Sequence, residues 1–312
     1  MSRLSVSFCI PTHGRPRLLV EAMESVLAQT RLPDEIVLSD DIGCEESRAA
    51  VSAFASRAPF PVRYVRCTTG QSLADNITNC FRAAACDLVL LLHDDDLPMA
   101  CAVEVLARPF EENPAVVGAY GKQLFITDDG EDIPSETEYY NRVFRRTAQY
   151  AGLQPDALLA GIQQQFPNDG YMVKASIARE VGLRPEFGTG ADFDFGVRMG
   201  ERGLFYFVDE YTAKYRKTLE SMSRGAGEKN DDSVYHAMQL LLGLLETHPQ
   251  YEAEIVEILK NLSPMSIRMA AKKGKVQEAT RWYFGPYHRR RILTLGGIRT
   301  GLLLLRAYVK AC

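Results

Sequence analysis

The sequence predicts an α/β protein with a Rossmann-like, mostly parallel sheet flanked by helices and a helical C-terminal appendage. Three observations predict it. Strand-length apolar runs alternate with stretches of helical period through residues 4–107. The apolar runs at 4–10, 35–38 and 87–92 each end in a polar cluster. Beyond residue 231 the pattern is helical, with no further strand signal.

Residues 4–10 form an apolar strand closed by Pro11. Pro16 suits a first helical turn, and Leu18, Leu19, Ala22, Met23, Val26 and Leu27 recur at helical spacing. Pro33 ends that helix, and Glu35–Leu38 is a second strand running into Ser39-Asp40-Asp41. A helix over 45–57, a strand at Val62–Arg66 and a helix over 72–85 follow, with Gly70 breaking the chain before the last. Asp87–Leu92 is a continuous apolar strand that delivers His93-Asp94-Asp95-Asp96. Later elements are a helix at 101–107, a strand at Ala115–Phe125, a polar loop over Asp128–Arg146, a strand at Phe166–Val173 and a helix at 175–181. A glycine-rich turn at Phe187–Ala191 leads into a helix from Asp192 to Arg202, then strands at Leu204–Val208 and 211–216. Helices are expected over 232–247, 249–261, 264–283 and 289–310. The expected division is an α/β domain over 1–228 and a helical region with a basic amphipathic tail over 229–312.

The 312 residues are 46% hydrophobic and 24% charged, which excludes a disordered or fibrous chain. No stretch reaches the roughly 20 uninterrupted apolar residues of a membrane span. Met1-Ser2-Arg3 leads straight into the first strand, so no signal peptide is expected. Seven cysteines, with no Cys-x-x-Cys pair, argue against a disulfide framework or zinc site and suit a reducing cytoplasm. The net charge of −4 is divided unevenly. Residues 263–312 hold 11 Lys and Arg against one acid, Glu278, whereas residues 1–262 hold 25 basic and 39 acidic residues. A basic tail on an acidic body either meets an anionic partner or packs on that body.

In open α/β sheets ligands bind at the carboxyl ends of strands, and three polar clusters sit there. Asp94-Asp95-Asp96 repel one another; they are either a solvated acidic turn or a site for a hard divalent cation, which takes oxygen ligands, retains substrate phosphates and would relieve that repulsion. His93 is a ligand, a neighbour that orients one, or a surface histidine. Asp40 and Asp41 suit a base imide or ribose hydroxyl, or serve the turn itself. Thr12-His13-Gly14-Arg15-Pro16 offers main-chain groups, a hydroxyl and a guanidinium to a nucleoside and its phosphates. Gly70-Gln71-Ser72-Leu73-Ala74-Asp75-Asn76 is a second loop-to-helix junction, with Ser72 a candidate N-cap.

Taken in order, these segments resemble the family 2 inverting glycosyltransferases of GT-A fold. Ile10-Pro11-Thr12-His13-Gly14-Arg15-Pro16 is similar to their Ile-Pro-Thr-Tyr-Asn-Arg-Pro opening, and Ile36–Asp41 to their second strand with its nucleotide-binding Asp. Gly70–Asn76 resembles their Gly-x-x-x-Ala-Arg-Asn helix start, and Leu91–Asp96 their Asp-x-Asp metal motif. Gly188–Asp194 with Arg198 resembles their Glu-Asp catalytic segment, and Tyr215-Arg216 the beginning of their Tyr-Arg-x-His motif. The resemblance covers roughly residues 4–225. It implies a nucleoside-diphosphate sugar donor held by Pro11, Thr12, His13, Arg15, Asp40, Asp41, Gly70, Asn76, Asp94, Asp95 and Arg216. It implies Mn²⁺ or Mg²⁺ on Asp94, Asp95 and Asp96, and Asp192 as the general base that deprotonates an acceptor hydroxyl, with Asp194 as runner-up. The setting would be bacterial surface polysaccharide or glycoconjugate synthesis, in the cytoplasm or at the inner membrane face.

Three positions depart from the family pattern: Gly14 replaces Asn, Asp75 replaces Arg, and Thr218 stands where the late His is expected, leaving Arg216, Lys217 or Arg224 to meet the diphosphate. The segment 218–231, with Gly225 and Gly227, is a candidate lid. Competing readings are a catalytically inactive nucleotide-sugar-binding protein of the same fold and a nucleotidyltransferase. The latter lacks its expected basic glycine-rich loop, since Thr12–Pro16 has one Gly and no Lys. On the last helix Arg299, Arg306 and Lys310 share a stripe beside Ile298, Leu302, Leu305 and Val309, and Arg289-Arg290-Arg291 precede it. That pattern suits peripheral contact of 289–312 with an anionic membrane, or packing on the domain or in a homodimer. An acidic body with one Trp argues against nucleic acid.

Overall fold

A computed structural model describes residues 3–217 and 232–311. The chain divides into two compact units, Met1–Glu186 with Ala191–Gly225, and Phe187–Gly190 with Ala226–Cys312.

The first unit begins with β1 (Val6–Thr12), α1 (Pro16–Leu27), β2 (Glu35–Asp40), α2 (Glu45–Ala55), β3 (Val62–Arg66), α3 (Leu73–Ala83) and β4 (Leu88–Leu91). It continues through β5 (Leu97–Pro98), α4 (Ala102–Glu112), β6 (Val116–Thr127), α5 (Pro134–Val143), β7 (Gly152–Gln154), α6 (Ala157–Ile162), β8 (Tyr171–Lys174) and α7 (Ala175–Val181). It closes with α8 (Ala191–Gly200) and β9 (Leu204–Lys217). Among the described residues these nine strands make one sheet in the order β3-β2-β1-β4-β8-β6-β9-β5, with β7 paired to β9. β3, β2, β1 and β4 are parallel, as the strand–helix alternation predicts. The remainder is mixed: β8 runs antiparallel to β4 and β6, while β6 and β9 are parallel.

Side-chain alternation along β1 divides the core. Phe8 and Ile10 join Leu19, Met23 and Val26 of α1 and Val103, Leu106 and Phe110 of α4 in one cluster. Cys9 points the other way, its thiol against the Cys80 carbonyl of α3. Beyond α3 the layer is aromatic: Phe81 meets Phe195 at 5.7 Å, and Phe166 packs on Tyr171 at 4.5 Å and on Phe205 at 4.9 Å. Burying this apolar area supplies the main driving force and fixes the strand ends in space.

Four sequence expectations differ from the structure. The segment 128–146 reads as loop but contains α5. That helix joins the sheet through polar side chains rather than an apolar stripe. Asn141 Oδ1 accepts the Gln123 N–H at 3.1 Å, its Nδ2 donates to the Gln123 carbonyl at 2.8 Å, and Thr137 Oγ1 accepts the Phe125 N–H at 2.9 Å. A search for apolar periodicity therefore misses it. The strands expected at 204–208 and 211–216 are one, β9, which absorbs the interruption through register shifts against β6 between Tyr120 and Gln123.

The second unit holds α9 (Ser233–Thr247), α10 (Glu252–Lys272), α11 (Val276–Phe284) and α12 (Leu295–Ala311). Here lies the third difference: α10 runs through Pro264, where two helices are expected. Proline leaves the Lys260 carbonyl without its helical donor, and Ser263 Oγ supplies one at 3.2 Å. Arg289–Arg291 form a separate 3₁₀ turn rather than the first turn of the last helix.

Candidate active site

β2, β1 and β4 are neighbours, so their carboxyl ends bring the three polar clusters together. Thr12 Oγ1 donates to Asp94 Oδ2 at 2.7 Å, and the His13 N–H donates to the same oxygen at 3.2 Å. His13 Nδ1 lies 2.8 Å from Asp41 Oδ1. Arg15 spans two carboxylates: one terminal nitrogen meets Asp95 Oδ2 at 2.5 Å and the other pairs with Asp94. Burial alone would lower the Arg15 pKa, but Asp94 and Asp95 outweigh it and hold it above the ordinary value. Burial raises Asp94, and Arg15, Thr12 and the His13 amide only partly oppose that.

The three consecutive carboxylates thus have different partners. Asp94 faces the β1 loop and stands outside the group that could hold a metal. That group, among the described residues, is His93, Asp95 and Asp96, whose ligand atoms lie within 4.8 Å of one another. Asp96 accepts the backbone N–H of Arg216 at 2.6 Å. Burial, then the adjacent Asp169 and Asp95, push its pKa well up. His93 donates its backbone N–H to Asp169 Oδ2 at 3.2 Å, while its ring Nε2 is buried without a hydrogen-bond partner. An unpartnered imidazole nitrogen beside two carboxylates fits a divalent cation.

The other sequence candidates fall into two sets. Asp40 is fully buried and saturated: it accepts the N–H groups of Ile42, Gly43 and Cys44 at 2.9, 2.7 and 2.9 Å, the Tyr64 hydroxyl at 2.5 Å, and Arg66 at 3.3 Å. It shapes the β2 turn, and Asp41 beside it reaches His13. Gly70 is required by Asp75, because a Cβ there would come within 2.0 Å of Asp75 Oδ2. Asp75, at the position of the family Arg, completes a capping box with Ser72 at the start of α3. Asn76 Nδ2 donates to the Thr12 carbonyl at 3.0 Å and ties α3 to the end of β1. Pro11 lies within β1, with Ser39 of β2 beside it. Arg216 is 4% exposed and committed to protein: it donates to the carbonyls of Asp95 at 2.9 Å and Asp128 at 2.6 Å, and to Glu21 at 2.9 Å. Its side chain clamps the acidic turn. Thr218, Arg224 and the candidate lid lie outside the described residues.

Asp192 is half-buried in the first turn of α8, where its Oδ1 accepts the Phe193 N–H at 2.8 Å. Asp194, two residues on, is fully buried and held by Arg198 at 2.6 Å, which also bonds the carbonyls of Val181 and Gly182. Asp194 therefore fastens α8 to the end of α7.

Sequence reading missed the residues between Asp96 and Asp192. Asp169 sits against Asp96 and His93, and Gln123 Nε2 donates to its Oδ1 at 2.9 Å. Arg146 is buried and donates to Gln123 Oε1 at 2.7 Å and to the Gln165 carbonyl at 2.9 Å. Burial pushes its pKa down to about 10 against the pull of Tyr120, Asp169 and Asp192. Pro167-Asn168-Asp169-Gly170, directly after Phe166, is a turn signal and the trace of this region in the sequence.

Residues 7–161 match the Glycosyl transferase family 2 model. This segment is a family 2 glycosyltransferase domain. An uncharacterized glycosyltransferase of Haemophilus influenzae is 30% identical over 111 residues, 36% of this chain and 36% of that relative. Two solved structures share the fold over nearly the whole chain. One is S. aureus TarS 1–349 in complex with UDP, with TM-score 0.64 and 14% identity, covering 99% of this chain and 92% of TarS 1–349. The other is the mannosyltransferase PcManGT of Pyrobaculum calidifontis in complex with GDP-Man and Mn²⁺, with TM-score 0.55 and 16% identity, covering 100% of this chain and 88% of PcManGT. The family match covers His93, Asp95 and Asp96, the group that could hold a metal, and ends before Asp169 and Asp192.

Proposed function

We propose that this chain is an inverting glycosyltransferase of hexosyltransferase type. In this reading it transfers a sugar from a nucleoside-diphosphate donor to an acceptor hydroxyl during bacterial polysaccharide or glycoconjugate synthesis. The observation that carries the reading is the His93, Asp95 and Asp96 group at the mouth of β4, with its unpartnered imidazole nitrogen. The solved relatives hold UDP, and GDP-Man with Mn²⁺, which supports a nucleotide sugar and a divalent cation for this chain as well.

Each residue then has a task. His93, Asp95 and Asp96 would hold Mn²⁺ or Mg²⁺, and the bound ion would supply positive charge against the departing diphosphate. Thr12, His13 and Asp41 at the ends of β1 and β2 meet the nucleoside. Arg15 exchanges its carboxylate partners for donor phosphates, a change between two charge-assisted pairings. Arg216 clamps the acidic turn so that its carboxylates do not have to be ordered when the donor arrives. Asp192 takes the proton from the acceptor hydroxyl as that oxygen attacks the anomeric carbon opposite the diphosphate, and configuration inverts in a single displacement.

Isothermal titration of UDP- and GDP-sugars with and without Mn²⁺ tests the reading. Asp95→Ala should abolish the metal-dependent part of donor binding. Equal metal-dependent heats in the variant and the natural protein would remove the site. Metal-dependent donor binding without transfer to any hydroxyl, or hydrolysis, would instead favour an inactive binding protein.

A further inference from the structure

The last helix is turned the opposite way from an ordinary amphipathic helix. α12 meets the rest of its unit through Gly297, Thr300 and Leu304, which are buried, and Tyr283 of α11 donates to the Gly297 carbonyl at 3.2 Å. A Cβ on Gly301 would come within 2.6 Å of the Tyr283 hydroxyl, so the glycine permits the close approach. The large side chains consequently face outward. Leu295, Ile298, Leu302, Leu305 and Val309 are 81, 47, 56, 60 and 69% exposed, and Leu293 just before the helix is 91% exposed. Their spacing of three and four residues draws one continuous apolar stripe. A stripe of this extent marks an interaction surface.

Charge identifies what covers it. Arg299 and Arg306 directly follow Ile298 and Leu305 and are exposed, as are Arg289, Arg290 and Arg291. No acid occurs after Glu278. A second copy laid stripe against stripe would bring these arginines towards their own counterparts with no carboxylate between them. A nucleic acid would take the arginines and leave the leucines in water. An anionic lipid surface satisfies both, taking the leucines at the acyl boundary while the guanidinium groups extend to headgroup phosphates. A cleft of about 590 Å³ beside the helix, with Lys272 and Arg306 in its wall, adds room for a headgroup. The helix has 17 residues, about 25 Å of axial length, and no helix among the described residues is long and apolar enough to cross a membrane. We propose that α12 lies in the plane of an anionic lipid surface, with Leu295, Ile298, Leu302, Leu305 and Val309 immersed and the arginines at the headgroups. The side chain of Lys310, which shares the arginine stripe in sequence, lies outside the described residues.

Co-sedimentation of the full chain with vesicles tests this. Phosphatidylcholine vesicles containing phosphatidylglycerol should bind the protein, less as salt rises, and phosphatidylcholine alone should bind it far more weakly. Leu302→Glu with Leu305→Glu should weaken binding by more than about tenfold, because both side chains must be withdrawn from the lipid. Arg299→Glu with Arg306→Glu should weaken it by about thirtyfold or more. All four side chains are exposed, so circular dichroism and the melting temperature should not change. As a positive readout, Leu305→Trp fluorescence should shift to the blue on anionic vesicles only. The proposal falls if anionic vesicles do not bind the natural chain, or if the double Glu variant at the leucines binds equally well. It falls also if sedimentation velocity finds a dimer that the same variant dissolves, which would give the stripe to a second copy.

Discussion

Replacing Arg15 by Met tests how the acidic turn is held together without a cation. The guanidinium spans Asp94 and Asp95, whose side chains are 0 and 9% exposed, and is itself 24% exposed. Asp94 would keep Thr12 Oγ1 and the His13 amide, but Asp95 would lose its only side-chain partner among those described. Removing one member of a buried ion pair costs about 3–5 kcal/mol, because the charge left behind is uncompensated. Partial exposure of Arg15 puts the expected loss near the lower end, about 3 kcal/mol. For a chain of 312 residues that is a fall in melting temperature of about 4–5 °C. The same loss should sharpen the response to metal. With no guanidinium competing for the carboxylates, Mn²⁺ should restore more of the melting temperature in Arg15→Met than it adds to the natural protein. Thermal unfolding of both proteins in Mn²⁺ and in chelator reads both effects. A fall of less than about 2 °C, or an identical Mn²⁺ response in the two proteins, would refute the view that Arg15 does the neutralising in the absence of donor.

Further outcomes are expected. Asp192→Asn should retain donor binding by calorimetry while the transfer rate drops by about two to four orders of magnitude; near-normal transfer would remove Asp192 as the base. Asp232 accepts the Thr189 N–H at 3.2 Å and its hydroxyl at 2.9 Å, pairs with Lys273, and lies 3.2 Å from His236 Nε2. Burial alone would raise its pKa, but Lys273 and Thr189 outweigh it and hold it at about 2, below the ordinary 3.8. Its stabilising contribution is therefore complete above pH 3.8 and lost as pH falls towards about 2, so melting curves of Asp232→Asn should flatten across that window relative to the natural chain. A parallel pH dependence in the two proteins would exclude the assignment. Gly70→Ala should break the Ser72–Asp75 capping box and cost about 1 kcal/mol by denaturant unfolding, since the added Cβ displaces Asp75. Unchanged stability would show that the cap is not needed.

The elements legible from the sequence are those that bury apolar side chains at a regular period. β1 to β4 and α1 to α3 stand close to their expected positions, because Phe8, Ile10, Leu19, Met23, Ile77 and Phe81 have one compact arrangement that removes them all from water. Elements held by polar bonds were not legible. α5 is fixed by Thr137 and Asn141 capturing backbone groups of β6, and such residues carry no periodic signal. Within the site, the acidic cluster and the loop after β1 were visible as motifs, but their partners were not. Asp75 reads as a departure from the family Arg and is in fact the capping-box partner of Ser72; Asp169 and Arg146 come from a region without any motif.

The sequence by itself determined that three strands would end in polar clusters and that the chain would carry a basic, apolar last helix, because local period and composition set both. Only the tertiary structure decided how the charges are shared. Asp94, Asp95 and Asp96 are adjacent in the chain, yet Asp94 turns to the β1 loop and shares Arg15 with Asp95, Asp95 also lies near His93, and Asp96 meets Asp169 and the Arg216 amide. The physical reason is that a buried carboxylate must find a donor or a cation in three dimensions, and the donors to these three lie 79 to 120 residues away along the chain.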